Sequence, residues 1–344
     1  MSETPVPEGR PAYVEILRNA RRIASSEGVE ELVEGSIGDG RQWVSIRGKD
    51  ARNPVLLFVH GGPGSPEMPA SWLYQNAWED YFVVVQWDQR GCGKSAGAAW
   101  PAQADGVSLI DRMVADAREM VAFLRDRFDR EKIFVLGHSW GTVVGTSLAR
   151  ICPEWLHAYV GVGQVIDWGE NERASYAYVT QQAQKLGLTE AISELAAIAP
   201  YPDALPTASA LERLLTERKW VVQLGGMLHG CTDLSALDHA KTLCPEYSTA
   251  DLNVSGQVEA AVGRLLPELM RYDCREIGEL HCPVAIAAGR FDFATPSSVA
   301  LEWYEKLKAP RKSWMWFERS AHMPHLEEPG RFLNFLANEV RPLA

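Results

Sequence analysis

Cysteine is sparse in this chain: six are scattered through 344 residues, a usage that fits reduced thiols in the cytoplasm. Positive charge is short as well, with 34 Lys and Arg against 45 Asp and Glu for a net charge of −11. That balance argues against nucleic acid and anionic membrane surfaces as partners. No apolar stretch reaches the ~18 residues of a membrane span. Met1 to Glu8 lacks both the basic region and the apolar core of a signal peptide. Internal repeats and low-complexity tracts are missing too. His229, Cys231, Asp238, His239 and Cys244 match no metal-ligand spacing, so no metal and no other cofactor is expected. Gly93-Lys94-Ser95 has the ending of a phosphate-binding loop, but the glycine that such a loop requires five residues before Gly93 is Asp88. Asp88, Arg90 and Ser95 are instead expected to tie down a turn. With 46% apolar and 23% charged residues, the chain can build one large α/β core plus an inserted lid.

What is present begins at Ser139. The apolar run Lys132-Ile133-Phe134-Val135-Leu136 leads into Gly137-His138-Ser139-Trp140-Gly141, and Thr142 to Arg150 reads as a helix. A serine between two glycines on a sharp strand-to-helix turn has the form of a nucleophile elbow. Only glycine fits comfortably where the backbones crowd, and the helix N-terminus beneath the hydroxyl favours developing negative charge.

Such a serine needs a base, an acid to orient the base, and donors for an oxyanion. Pro283-Val284-Ala285-Ile286-Ala287-Ala288 reads as a buried strand that ends in Gly289-Arg290-Phe291-Asp292. Ser313 to Phe317 reads as another, followed by Glu318-Arg319-Ser320-Ala321-His322. Asp292 and His322 therefore follow the serine in the order this fold uses, each just past a strand end. His325 is an alternative base and Glu318 an alternative acid, though Glu318 lies on the strand that carries the histidine. His138 is expected to pack in the elbow and His60 to brace the loop after it. One oxyanion donor is expected from the backbone N–H of Trp140. The other comes from the loop His60-Gly61-Gly62-Pro63-Gly64, which follows the strand ending at Val59, with Gly62 favoured over Gly61. Gly61 and Gln164 are further candidates for contact with substrate, and Gln164 is equally placed to brace its loop.

Ala158 to Gly163 reads as a strand, after which apolar periodicity suggests helices over 175–186, 190–198, 208–224 and 257–270. Residues 166–275 are accordingly expected to form a helical cap inserted into a core made of 1–165 and 276–344. A cap in this position covers the C-terminal edge of the sheet and encloses a substrate.

Taken together, His60-Gly61-Gly62-Pro63-Gly64, Trp87-Asp88-Gln89-Arg90-Gly91-Cys92-Gly93-Lys94-Ser95, the elbow and Gly289-Arg290-Phe291-Asp292 resemble the α/β-hydrolase superfamily. More narrowly the chain resembles the proline iminopeptidases, a family of serine aminopeptidases. The likeness covers roughly residues 40 to 165 and 280 to 335. It implies a mostly parallel sheet with helices on both faces, the triad Ser139, Asp292 and His322, and an oxyanion hole from Gly62 and Trp140. Two departures stand out. The family often has glycine where this elbow has His138, and no Trp-Glu pair occurs in 166–280, where the family's lid carries an amine-binding acid. The expected activity is serine hydrolysis through an acyl-enzyme, on a small peptide with a small N-terminal residue such as proline. Alternatives are a carboxylesterase on small acyl esters and a binding protein that keeps the fold without turnover. Glu170, Glu172, Glu194, Asp233 and Glu246 are the cap acids noted for an amine, with most expected on a solvated face.

Overall fold

The computed structural model describes residues 8–100, 106, 108–203, 210–252 and 256–344. Its sheet is built on strands β1 (Val29–Ile37), β2 (Gly40–Gly48), β3 (Val55–Val59), β4 (Val83–Trp87), β5 (Ile133–His138), β6 (Leu156–Val162), β7 (Val284–Gly289) and β8 (Lys312–Phe317). Their spatial order is β1-β2-β4-β3-β5-β6-β7-β8. The pairs β1–β2 and β2–β4 are antiparallel, and every later pair is parallel.

Strands β3, β4, β5 and β7 are buried at every position, and mostly apolar, because both faces are covered. In β3, Val55, Leu57 and Val59 join one core with residues of α2 (Leu109–Arg127), α3 (Trp140–Ile151) and α9 (Ser297–Lys306). Leu56 and Phe58 face the other way, toward Trp78 and toward Phe332 and Phe335 of α11 (Pro329–Phe335), which follows the one-turn α10 (Pro324–Glu327). This period of two within a wholly apolar strand places helices on both faces.

Between β6 and β7 the chain leaves the sheet for α4 (Trp168–Leu186), α5 (Thr189–Ala197), α6 (Ala210–Gln223), α7 (Ser235–Lys241) and α8 (Gln257–Leu269). Residues 208 and 209, where the sequence places the start of the third of these, lie outside the described residues. The segment has its own small core of Val179, Ala183, Ala191, Leu195, Trp220 and Val221, closed by Ala294 from the loop after β7. Polar contacts fasten its far end to the sheet layer. Lys94 meets Asp251 at 2.7 Å, the Gly93 N–H donates to Gln257 Oε1 at 2.8 Å, and Tyr247 donates to Asp88. Arg10 of α1 (Arg10–Ala20) donates to the carbonyls of Thr242 and Tyr247 at 2.7 and 2.6 Å. No helix among the described residues is long and apolar enough to cross a membrane.

In an open α/β sheet, the crevice for a ligand forms where the order of strands reverses direction. Here β4 lies on one side of β3 and β5 on the other, so the loops after β3 and β5 flank that crevice. They carry His60 to Gly64 and Ser139.

Candidate active site

Ser139 is one of two described non-glycine residues with positive φ, at φ 53° and ψ −121°, and it caps the N-terminus of α3. Such backbone is strained for an L-residue and persists only where its surroundings fix it. Those surroundings are visible in the flanking glycines. A Cβ on Gly137 would lie 2.4 Å from Gly141 O, and one on Gly141 would lie 1.9 Å from Val59 O. The Ser139 N–H donates to Val162 O at 2.8 Å, and its carbonyl accepts from the Thr142 N–H and hydroxyl at 2.8 and 2.6 Å. The turn is therefore clamped between β3, β5 and β6.

The loop after β3 approaches this serine closely, since a Cβ on Gly61 would stand 3.0 Å from Ser139 Cβ. Gly62 has φ 110°. The N–H groups of Gly61, Gly62 and Trp140 donate to no acceptor among the described residues. His60 braces the loop: Nδ1–H donates to Gly61 O at 2.9 Å and Nε2 accepts the Gln89 N–H at 3.1 Å. Burial pushes the His60 imidazole down to about 4, which keeps it neutral in that role. Gln89 then joins the two sides of the crevice. Its amide N–H donates to His60 O at 2.9 Å and its Oε1 accepts Trp140 Nε1–H at 3.0 Å. Nothing in its sequence position marked Gln89 apart from its neighbours in the turn.

Those neighbours do hold the turn. Asp88 accepts the Lys94 N–H at 2.8 Å, Arg90 pairs with Asp116 at 2.8 Å, and Ser95 accepts the Trp43 N–H at 2.7 Å.

Asp292 and His322, from the loops after β7 and β8, are buried and in contact, with His322 Nδ1 3.0 Å from Asp292 Oδ2. Gly289 permits this approach, because a Cβ there would fall 1.8 Å from Ala321 O. The second carboxylate oxygen accepts the Thr295 N–H at 2.8 Å, while the Thr295 hydroxyl donates to Oδ2 at 2.9 Å. The imidazole is fixed from several sides. His138 Nε2–H donates to His322 O at 3.0 Å with the two rings 4.8 Å apart, and the His322 N–H donates to Met227 O at 3.1 Å. Glu327 accepts the N–H groups of Ala321 and Met323 at 2.9 and 3.1 Å. On the ring's other edge a Cβ on Gly163 would sit 2.7 Å from His322 Cε1. The His322 ring thus packs on Gly163, the residue after Val162, whose carbonyl accepts the Ser139 N–H. No hydrogen bond joins the Ser139 hydroxyl to His322 among the described residues. In ligand-free enzymes this contact is often long and tightens only with substrate in place.

The alternatives fall elsewhere. His325 is fully buried, with Nε2 3.3 Å from Glu67 Oε1 and its ring edge-on to Tyr74. Glu318 pairs with Arg290 at the surface at 2.7 Å. Gln164 does not face the crevice. Its amide accepts from the Tyr159 hydroxyl and donates to Thr146 Oγ1 at 3.2 Å and Val165 O at 2.9 Å, the loop-bracing role rather than substrate contact. Among the described residues no group of three or more His, Cys, Asp or Glu side chains could hold a metal.

Of the acids noted in the helical segment, Glu170, Glu194, Asp233 and Glu246 are taken by Arg173, Lys219, Ser235 and Arg21 respectively. Glu172 is different, being 0% exposed, and it shares its setting with Glu217, also 0% exposed, which the apolar period of α6 concealed. Arg218 donates to both carboxylates and Tyr201 donates to Glu172. The pair sits beneath the loop that carries Asp292: Ser175, which bonds Glu217, also reaches Phe293 O at 2.6 Å, and Asn171 Nδ2–H donates to Ala294 O at 3.1 Å. Burial pushes Glu217 up to about 7. A hydroxyl has one proton, so Ser175 can serve both contacts when Glu217 is protonated and donates to it.

A family model described as alpha/beta hydrolase fold matches residues 54–329. A probable aminopeptidase of Bacillus subtilis is 28% identical over 322 residues, covering 93% of this chain and 99% of that protein. A proline iminopeptidase of Heyndrickxia coagulans is 28% identical, with coverages of 81% and 88%. Among solved structures, a proline iminopeptidase-related protein of Thermus thermophilus superposes with TM-score 0.68 at 21% identity, covering 92% of this chain and all of that one. An esterase from Rhodococcus has TM-score 0.58 at 19% identity, with coverages of 91% and 99%.

Proposed function

Because the chain belongs to the alpha/beta hydrolase family, we propose that it is a serine hydrolase acting through Ser139, His322 and Asp292, and specifically an aminopeptidase. The observation that carries the reading is Ser139 strained at φ 53° on its elbow beside unengaged N–H groups of Gly62 and Trp140. In the proposed cycle the Ser139 hydroxyl oxygen attacks the carbonyl carbon while His322 Nε2 takes the hydroxyl proton. Asp292 holds Nδ1–H, so the imidazolium is stabilised and Nε2 faces the serine. The carbonyl oxygen becomes an oxyanion received by the two backbone donors. His322 returns the proton to the leaving amine as the C–N bond breaks. Water, deprotonated by the same imidazole, then releases the acyl group and restores Ser139.

Within this reading the helices of residues 166–275 are a cap over the crevice, and the substrate is a small peptide with a free N-terminus. The aminopeptidase names of relatives that align over most of their length support that choice. So does the charge balance beneath the Asp292 loop. With Glu217 ionised, two buried carboxylates face one guanidinium, leaving one negative charge for a substrate ammonium to neutralise. The competing reading, an esterase on small acyl esters, would need no such charge.

Alanyl- and prolyl-arylamides, their N-acetyl forms and p-nitrophenyl acetate separate the two. The aminopeptidase reading expects free amines to be preferred over blocked ones by about 30-fold or more in kcat/KM. Glu217→Gln should lower the free-amine rate by a similar factor and leave the ester rate within about threefold. The sign with pH follows from Glu217: its charged form gains population above about 7, so the free-amine rate relative to the ester rises between pH 6 and about 7.5. Equal cleavage of blocked and free substrates, or cleavage of esters alone, sinks the aminopeptidase assignment.

A further inference from the structure

A single hydroxyl touches both partners of the buried Asp–His pair. Thr295 Oγ1 lies 2.9 Å from Asp292 Oδ2 and 3.2 Å from His322 Nδ1, and these two atoms are themselves 3.0 Å apart. The residue is only 5% exposed, so water does not compete for these contacts. Proton counting decides how the triangle is wired. Ionised Asp292 has none to give, the threonine has one, and a neutral imidazole has one on either nitrogen. With the hydroxyl proton committed to Oδ2, the threonine presents lone pairs to His322 and can only accept. The Nδ1–H tautomer then donates to Oδ2 and, more weakly, to Oγ1. The opposite tautomer would turn a bare nitrogen toward a carboxylate and a hydroxyl oxygen whose proton is already spent.

We propose that Thr295 is a positioning residue of the Asp292–His322 pair, holding the carboxylate against rotation and fixing the histidine tautomer that leaves Nε2 free for Ser139. The proposal rests on the triad reading above. The backbone supplies one anchor in the Thr295 N–H to Oδ1 bond at 2.8 Å, and the side chain supplies the other. Losing the side-chain donor leaves more charge on Oδ2, which stabilises the imidazolium and moves its deprotonation to higher pH.

Thr295→Val removes the hydroxyl at nearly constant volume, whereas Thr295→Ser keeps it. With a fluorogenic ester or arylamide, Thr295→Val should lose about tenfold or more in kcat with KM within about threefold, and the acid limb of kcat/KM should move to higher pH. Thr295→Ser should stay within about threefold of wild type with an unmoved limb. If Thr295→Val does not fold, Thr295→Ala carries the same expectation for the limb. A hydroxyl-free variant with wild-type kcat and limb overturns the proposal, and so does a serine variant as impaired as valine, which would assign the effect to the lost methyl. Ser139→Ala measured alongside keeps the two ideas apart: activity in that variant removes the triad itself, while an inactive Ser139→Ala with a silent Thr295→Val removes only the threonine.

Discussion

A carboxyl group out of reach of water holds its proton unless donors surround both oxygens, and Asp88 has donors on one only. Its Oδ2 accepts from Lys94 and Tyr247, while Oδ1 has no partner among the described residues and the side chain is 0% exposed. Burial therefore outweighs those bonds and pushes the group from 3.8 to about 7. The folded protein holds this proton more tightly than the unfolded chain, so the stability it brings is complete below about pH 4 and is lost as pH rises to about 7. His60, pushed down from 6.5 to about 4, works in the opposite sense, its contribution being lost as pH falls through that window. Asp88→Asn isolates the first effect, since an amide still offers Lys94 an acceptor and never ionises. The stability of Asp88→Asn relative to wild type should rise from pH 4 to pH 7.5 by up to about 4 kcal/mol in urea unfolding. A pH-independent difference would mean that Asp88 is ionised throughout.

At the scale of elements, the elbow is set by backbone contact rather than by side chains. A Cβ on Gly141 would meet Val59 O at 1.9 Å, a strand atom that cannot yield, whereas one on Gly330 of α11 meets nothing within 4 Å. Gly141→Ala should cost about 3 kcal/mol or more, or prevent folding, while Gly330→Ala should be neutral or slightly stabilising. Equal unfolding midpoints would refute a packed elbow. The elbow was legible because its glycines stand between an unbroken apolar run and a helical period. Less of the surrounding structure announced itself. In the hairpin β1–β2 residue type does not follow burial: β1 alternates, yet it exposes Leu32 and half-buries Glu31, and β2 buries Gln42 and Arg47, which are satisfied by Trp87 and by Glu79 and Glu30. Helix α4 begins at Trp168 rather than 175, capped by Asp167, because its first turns bury Asn171 and Glu172 in polar contacts that an apolar period misses. Helix α7 is short, and four of its seven residues are charged or polar.

On the scale of the whole molecule, three loops far apart in sequence meet at the C-terminal edge of one sheet. That the loops carrying Ser139, Asp292 and His322 share this edge could be read from strand ends alone, since a parallel strand delivers its following loop there each time. What reading along the chain could not supply were the partners brought from elsewhere. Gln89 spans the loop after β3 and the indole of Trp140, and Thr295 bonds both Asp292 and His322. Glu217 shares Arg218 with Glu172. Gln164 stood open between substrate contact and loop bracing for the same reason, because its place past a strand end is visible in the sequence and its bond to Tyr159 is not. The central claim is that this assembly activates one hydroxyl. The most direct measurement is intact-protein and peptide mass spectrometry after brief treatment with a fluorophosphonate, on wild type, Ser139→Ala and His322→Ala. The account predicts a single adduct on Ser139 in the wild type, none in Ser139→Ala, and labelling slowed by about 10³-fold or more in His322→Ala. An unlabelled wild type, or an adduct that persists in Ser139→Ala, would contradict it.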